Sequence, residues 1–148
     1  MLLRTNFWAL CGVILLVPVA SAQPNVLNKL KGQILRVEWF PGGVNPGGYR
    51  FILKENGNWE FETLNFGGAG KKKSGKLDAN EAKVLCNRIL AGLRMVRPQD
   101  RVRDFGLILS PCIRISVRGE KETVEALLSP RAPLSQALNK KILSLVKP

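Results

Sequence analysis

Apolar and polar side chains alternate with a period of two over residues 33–40, 49–54 and 58–64. Because successive side chains of a β-strand point to opposite faces of its sheet, this alternation predicts three strands that each bury one face. Asn56-Gly57 separates the second and third segments. It predicts a hairpin with a type I′ turn, since both residues tolerate positive φ. Strands joined by hairpins form antiparallel sheets, so this region constrains the fold most strongly.

The apolar positions of these segments are rich in aromatic residues, namely Trp39, Tyr49, Phe51, Trp59 and Phe61. Their alternation is typical of core packing, because aromatic burial dominates the cores of small domains. A stacking platform for bases or sugars is the alternative, although no RNP-like motif supports nucleic-acid recognition. On the opposite face, acidic residues of the third segment are expected to pair with basic residues of the second. These residues are Glu60 and Glu62, and Arg50 and Lys54.

Two amphipathic helices are predicted in the second half of the chain. Asp78, with Glu81 three residues later, forms a capping box that starts the first helix, and Pro133 suits the first turn of the second. Their apolar stripes are Ala82, Leu85, Ile89 and Leu93, and Leu134, Leu138, Ile142 and Leu145. Between the helices, residues 107–117 and 121–128 predict another hairpin that turns at Gly119-Glu120.

The predicted element order is β-β-β-α-β-β-α, with residues 65–76 forming a flexible basic loop. We therefore expect an α+β fold, in which an antiparallel sheet of four to five strands carries two main helices packed on one face.

The first 22 residues have the pattern of a cleaved secretory signal. Arg4 provides a positive n-region, residues 7–19 form an apolar run, and Ala20-Ser21-Ala22 provides an A-x-A cleavage site. The run is shorter than the ~20 residues that span a bilayer as a helix. We therefore expect a signal peptide at 1–22, a single secreted or periplasmic domain at 23–148, and no transmembrane segment after signal removal.

Removal of that signal leaves two cysteines, Cys86 and Cys112. Because export places them in an oxidising compartment, we expect them to form a disulfide bond. Two buried free thiols are the alternative. In the predicted element order, the bond would join the middle of the first helix to the start of a strand.

The composition excludes several classes of catalytic site. The chain contains no histidine, which removes Ser-His-Asp and Cys-His catalysis and all histidine-based zinc sites. Its three aspartates, Asp78, Asp100 and Asp104, are explained by a helix cap and by ion pairs with neighbouring arginines. No paired constellation of Ser, Lys or Glu points to an enzyme, so we expect no catalytic residue, no metal and no cofactor.

The chain carries a formal net charge of +12, which favours anionic partners. The candidate anion-binding residues are Lys71, Lys72, Lys73 and Lys76, with a solvated loop as the alternative. Gly70 to Leu77 nearly matches the phosphate-binding G-x₄-G-K-[ST] loop, but Leu77 replaces the hydroxyl residue that would contact Mg²⁺. Charge alone does not choose between acidic proteins, anionic lipid, cell-wall polymer and nucleic acid.

The glycine- and proline-rich segment between the first two strands is the candidate partner-binding site. It comprises Pro41, Gly42, Gly43, Val44, Asn45, Pro46, Gly47 and Gly48. Loops on a rigid scaffold often carry recognition, and an ordinary hairpin connection is the alternative.

Several short motifs follow one another along the chain. They are Ile34–Trp39 with the Gly-Gly loop after it, Tyr49-Arg50-Phe51, Gly75-Lys76-Leu77 leading into Asp78–Glu81, Ile113–Val117, and a leucine-rich terminal helix. This layout, over about residues 33–147, resembles emfourin-like proteins, which are small inhibitors associated with thermolysin-type metallopeptidases. The resemblance implies a protease inhibitor and assigns no inhibitory residue individually. The chain differs by its expected secretion signal, its expected disulfide bond and a long basic insertion at residues 67–76.

We therefore expect an exported, non-enzymatic protein-binding module, with an extracellular thermolysin-type metallopeptidase as the target that the resemblance implies. The alternative is a basic envelope-associated module that binds anionic lipid, cell-wall polymer or nucleic acid through its lysines.

Overall fold

The computed structural model describes residues 32–42, 47–65, 70–102, 110–120 and 122–147. These ranges contain six strands, two α-helices and one 3-10 helix. In chain order they are β1 (Gln33–Phe40), β2 (Gly48–Lys54), β3 (Asn58–Leu64), β4 (Lys72–Lys76), α1 (Ala79–Arg94), the 3-10 helix (Pro98–Asp100), β5 (Cys112–Arg118), β6 (Thr123–Leu128) and α2 (Pro133–Val146). The predicted signal peptide at residues 1–22 lies outside the described residues.

Within the described part of the chain, all strands pair antiparallel in one sheet with the order β4-β3-β2-β1-β5-β6. The α+β class, the antiparallel sheet and the two helices are confirmed, whereas the expected number of four to five strands is wrong. The additional strand is β4, which lies in the segment predicted as a flexible loop. Its sequence, Lys-Lys-Ser-Gly-Lys, has low β-propensity, and it becomes a strand by pairing with β3 at the sheet edge.

One face of the sheet is apolar and packs against both helices in a single core. The strand residues of this core are Ile34, Leu35, Val37, Tyr49, Phe51, Leu53, Trp59, Phe61, Ile113, Ile115, Val117, Ala126 and Leu128. Helix α1 adds Ala82, Cys86, Ile89, Leu90 and Leu93, and α2 adds Leu138 and Ile142. The predicted aromatic core is confirmed except at Trp39, which is only partly buried.

Both helices begin where the sequence predicts. The Asp78 carboxylate accepts a hydrogen bond from the Asn80 backbone N–H at 2.8 Å and caps α1, and Pro133 occupies the first turn of α2. The Tyr49 hydroxyl donates to Asn139 Oδ1 at 2.8 Å, which fastens α2 to the sheet. Neither these helices nor any other described segment has the length and apolar character needed for a helix to cross a membrane.

The hairpin between β2 and β3 is confirmed, but its turn is not type I′. Gly57 has a φ of 83°, and no non-glycine residue in the described ranges has a positive φ, so Asn56 lacks the conformation that type I′ requires. The Gly57 N–H donates to the Lys54 carbonyl at 3.0 Å. This bond and the left-handed glycine are typical of a three-residue hairpin loop. The β5–β6 hairpin also forms, with Gly119 N–H donating to the Glu122 carbonyl at 2.8 Å.

Cys86 and Cys112 are buried free thiols in this structure, and the expected disulfide bond stays a prediction. The Cys86 thiol lies 3.8 Å from the Ile34 carbonyl oxygen, near the start of β1. Cys112, on β5, stands opposite Phe40 in the strand register, at the end of β1. At ~3.3 Å per residue these two β1 positions lie about 20 Å apart. A disulfide requires the two Cα atoms to lie within about 4.4–6.8 Å of each other.

Candidate functional site

The Pro41–Gly48 loop joins β1 and β2, which are the two central strands of the sheet. A Cβ at Gly48 would lie 2.1 Å from the Trp39 carbonyl oxygen, so only glycine permits this close approach where the loop ends. At the other end, Gly42 has a φ of 78°, a conformation that favours glycine. The described loop residues are Pro41, Gly42, Gly47 and Gly48, and the predicted site residues Gly43, Val44, Asn45 and Pro46 lie outside the described ranges. Glycine is therefore favoured at Gly42 and required at Gly48, at the two ends of the connection between β1 and β2.

A surface groove of about 540 Å³ lies next to the end of β1, between the sheet and α2. Trp39 forms one wall, and its ring centroid lies 5.9 Å from that of Tyr49. The Tyr49 ring in turn stacks on the Phe61 ring with a centroid distance of 5.2 Å, so buried aromatic rings support the Trp39 side chain on the side away from the groove. The lining residues are Trp39, Ile113, Pro130, Gln136, Asn139, Lys140, Leu143, Ser144 and Lys147. We call the Pro41–Gly48 loop and this groove together the loop–groove surface.

The groove combines apolar walls with basic residues. Leu143 is 40% exposed, and Trp39 keeps part of its side chain accessible. Lys140 and Lys147 also line the groove, and none of its described lining residues is acidic. Such a groove can hold an apolar side chain of a partner while the lysines attract acidic groups beside that side chain.

The sequence predicts the loop of this surface but not its groove. The alternation of β1 predicts Trp39 as a core residue, and the groove exists only because α2 docks beside β1 and β5. One signal does point to it: Leu143 lies outside the apolar stripe of the last predicted helix. An apolar residue outside the stripe is exposed when the helix packs by its stripe.

The sheet face opposite the helices, which we call the charged face, carries a row of alternating charge across five strands. The row consists of Arg114, Glu38, Arg50, Glu62 and Lys72, which stand opposite one another in register. Arg50 lies 2.9 Å from Glu38 and 3.8 Å from Glu62, and Lys72 lies 3.3 Å from Glu62. The predicted pairing of the β3 glutamates with basic residues of β2 is thus confirmed. The second such pair joins Lys54 and Glu60 at 2.5 Å.

Glu38 is the most buried member of this row, and its side chain is only 4% exposed. Arg36 Nη2 donates to its Oε1 atom at 2.6 Å, and Arg114 Nη1 lies 3.7 Å from Oε2. Burial raises the pKa of Glu38, but the hydrogen bonds and charges of Arg36 and Arg50 outweigh it and hold the pKa below the ordinary value of 4.5. An ionised Glu38 therefore neutralises the arginines around it at neutral pH.

The four predicted anion-binding lysines do not lie on one surface. Because side chains alternate along a strand, Lys72 and Lys76 belong to the charged face, whereas Lys73 points to the other face. Lys71 precedes the strand and is exposed. Lys73 Nζ donates to the Val146 carbonyl at 2.8 Å, at the carboxyl end of α2. An extended strand does not curl around a phosphate as the near-matching glycine-rich loop would have to.

The described residues supply no thiolate or phenolate at neutral pH. Burial raises the pKa of Cys86 to about 11 and that of Tyr49 to about 12. Burial also raises the pKa of Cys112, although the nearby Arg114 charge lowers it in part. Across the ranges that the structure describes, no three Cys, Asp or Glu side chains gather in a way that could hold a metal ion.

No protein-family model, curated protein or solved structure matches this chain.

Proposed function

We propose that this chain is an exported, non-enzymatic protein-binding module that contacts its partner through the loop–groove surface. The observation that carries the proposal is a groove with accessible Trp39 and Leu143 side chains, next to the end of β1 where Gly48 packs against the Trp39 carbonyl. An aromatic and an aliphatic anchor in a pocket, with polar groups around them, are typical of the energetic centre of a protein interface. The signal pattern of residues 1–22 supports export.

The partner surface is acidic in this proposal. The groove contributes two lysines and no described acidic residue, and the chain as a whole carries a net charge of +12. Complementary charge accelerates encounter and selects against basic partners. A protein partner fits better than a planar anionic surface, because the lysines of residues 71–76 point to two faces.

The first partner class to test is the thermolysin-type metallopeptidases, which the resemblance to emfourin-like proteins raises. In this role the module would occupy part of the peptidase surface with its loop while the groove holds an apolar side chain of the enzyme.

The test compares peptidase activity with micromolar amounts of three forms of the chain beginning at Gln23: unchanged, Leu143→Glu and Met95→Glu. Met95 is 82% exposed at the end of α1 and does not line the groove, so it controls for adding an acidic side chain. We expect inhibition by the unchanged chain and by Met95→Glu, and its loss in Leu143→Glu. Absence of inhibition by all three forms would remove this class of target. Equal inhibition by all three would remove the groove from the proposal.

A further inference from the structure

The two edges of the sheet are not equivalent. Beyond β6, the Val102 N–H donates to the Leu127 carbonyl at 2.9 Å and the Ser129 N–H donates to the Asp100 carbonyl at 2.9 Å. The segment around Arg101 therefore covers that edge. At the other edge, β4 pairs with β3 and with no other strand in the described part of the chain.

The hydrogen-bonding groups of β4 that face away from β3 can be identified from its register. Thr63 N–H donates to the Lys71 carbonyl at 3.0 Å, and Leu77 N–H donates to the Gly57 carbonyl at 2.9 Å. Hydrogen-bonded residues recur at every second position of an antiparallel pair, so residues 71, 73, 75 and 77 turn their backbone groups toward β3. The N–H and C=O groups of Lys72, Ser74 and Lys76 consequently point outward from the sheet.

The side chains at this edge select for an acidic strand. Lys72 and Lys76 lie on the charged face on either side of Ser74, and both are exposed. One alternative occupant of this edge is β4 of a second copy of the chain, paired antiparallel with Ser74 opposite Ser74. That pairing would place Lys72 of one copy directly opposite Lys76 of the other, and like charges directly opposite each other destabilise a strand pair. Glutamates at those two positions would stabilise the same pairing.

Gly75 lies between Lys72 and Lys76 in sequence but belongs to the opposite, apolar face of the sheet. A Cβ there would lie 2.3 Å from Trp59 Cζ2, so the indole ring occupies the space that a side chain at residue 75 would fill. The residue of an added strand opposite Gly75 would therefore meet the ring of Trp59.

We propose that the outer edge of β4 binds an extended acidic segment of a partner protein by β-strand addition. Acidic side chains of that segment face Lys72 and Lys76, and an apolar side chain between them faces Gly75 and Trp59. The proposal goes beyond the loop–groove surface, which lies at the connection between β1 and β2.

The probe is a fluorescent peptide with the sequence Glu-Val-Glu-Val-Glu-Val-Glu, and binding is measured by anisotropy. In the proposed pairing, the glutamates on the charged face are also the residues whose N–H groups point toward β4. N-methylation of the glutamates should therefore weaken binding at least about tenfold, because each ladder bond that is lost contributes to affinity. N-methylation of the valines, at unchanged charge, should change affinity less than about threefold.

The matched variants of the protein are Ser74→Pro and Ser74→Ala. Proline at position 74 removes an N–H group that donates no hydrogen bond to β3, so we expect the fold to tolerate proline in this edge strand. Urea unfolding checks that the variant is folded. We expect Ser74→Pro to weaken peptide binding at least about tenfold and Ser74→Ala to leave it unchanged. Leu143→Glu should also leave it unchanged, which separates this proposal from the function proposed for the loop–groove surface.

Three results would overturn the proposal. The first is no binding of the peptide at millimolar concentration. The second is equal binding of both N-methylated peptides and both Ser74 variants, which would show attraction by charge alone. The third is tighter binding to phosphatidylglycerol vesicles than to the peptide, unaffected by Ser74→Pro, which would assign the lysines to an anionic surface.

Discussion

Glu38 on β1 accepts a hydrogen bond from Arg50 on β2 at 2.9 Å, across the two central strands of the sheet. Arg36 donates to the same carboxylate oxygen at 2.6 Å, and Arg114 approaches the other oxygen from β5. One buried carboxylate thus holds three partly exposed guanidinium groups together. Without it, like charges would face one another at the centre of the charged face.

Replacement of Glu38 by glutamine tests this relationship. Glu38→Gln keeps the shape of the side chain but removes the charge, so we expect a loss of about 2–3 kcal/mol in the free energy of unfolding. Urea denaturation measures the loss. Glu60→Gln is the control, because Lys54 and Glu60 form an exposed pair that contributes about 0–1 kcal/mol. Equal effects of the two substitutions would contradict the central role of Glu38.

Stability should depend on pH through the same carboxylate. Its pKa in the folded chain lies below the ordinary value of 4.5, so the unfolded chain binds a proton more readily than the folded chain does. The resulting stabilisation is complete above the unfolded pKa and is lost as the pH falls through the folded pKa. We expect the urea midpoint to drop between about pH 5 and pH 3 in the unchanged chain, and to drop less in Glu38→Gln. The same slope in both forms would show that Glu38 does not cause the dependence.

Gly48 should be intolerant of a side chain. A Cβ would lie 2.1 Å from the Trp39 carbonyl oxygen, so Gly48→Ala must displace β1 or the end of the loop. We expect a loss of about 1–3 kcal/mol in stability, together with weaker partner binding. Gly32→Ala, at the opposite end of β1, has nothing within 4 Å of its Cβ and serves as the control. It should lose stability through its left-handed conformation alone and keep partner binding.

The two cysteines of the chain beginning at Gln23 should react as buried thiols. Burial raises the pKa of Cys86 to about 11, and the thiolate is the reactive form. With Ellman's reagent at pH 8 we expect slow reaction of the folded chain and two thiols per chain after unfolding in urea. Detection of no thiol in the unfolded chain would show a disulfide, and hence a different relative position of α1 and β5.

The elements that follow local patterns could be predicted from the sequence. Alternation identifies β1, β2 and β3, and a side-chain cap at Asp78 marks the start of α1. The strand β4 could not be predicted, because its residues carry no alternation. It forms through hydrogen bonds to β3 and through the contact of Trp59 with Gly75, neither of which the local sequence pattern of β4 reveals. The turn at Asn56-Gly57 shows the same limit, since loop length rather than the dipeptide decides the turn type.

The loop of the candidate site follows from its composition, whereas the groove depends on tertiary packing. Asn139 reaches the Tyr49 hydroxyl only when α2 lies across the sheet, and that placement brings Leu143 beside Trp39. The positions of Cys86 and Cys112 depend on tertiary packing in the same way. The predicted export favours a disulfide. In the structure, however, Cys86 lies near the Ile34 carbonyl and Cys112 stands opposite Phe40, close to opposite ends of β1.

The most direct test of the loop–groove surface is site-specific photo-crosslinking in the producing cell and its culture medium. A benzoylphenylalanine is introduced at Leu143, inside the groove, or at Met95, which is exposed outside it. We expect one discrete crosslinked partner protein from position 143 and none from position 95, and we expect an excess of the unmodified chain to compete with that crosslink. The same crosslinks from both positions, or none from position 143, would contradict partner binding through this surface.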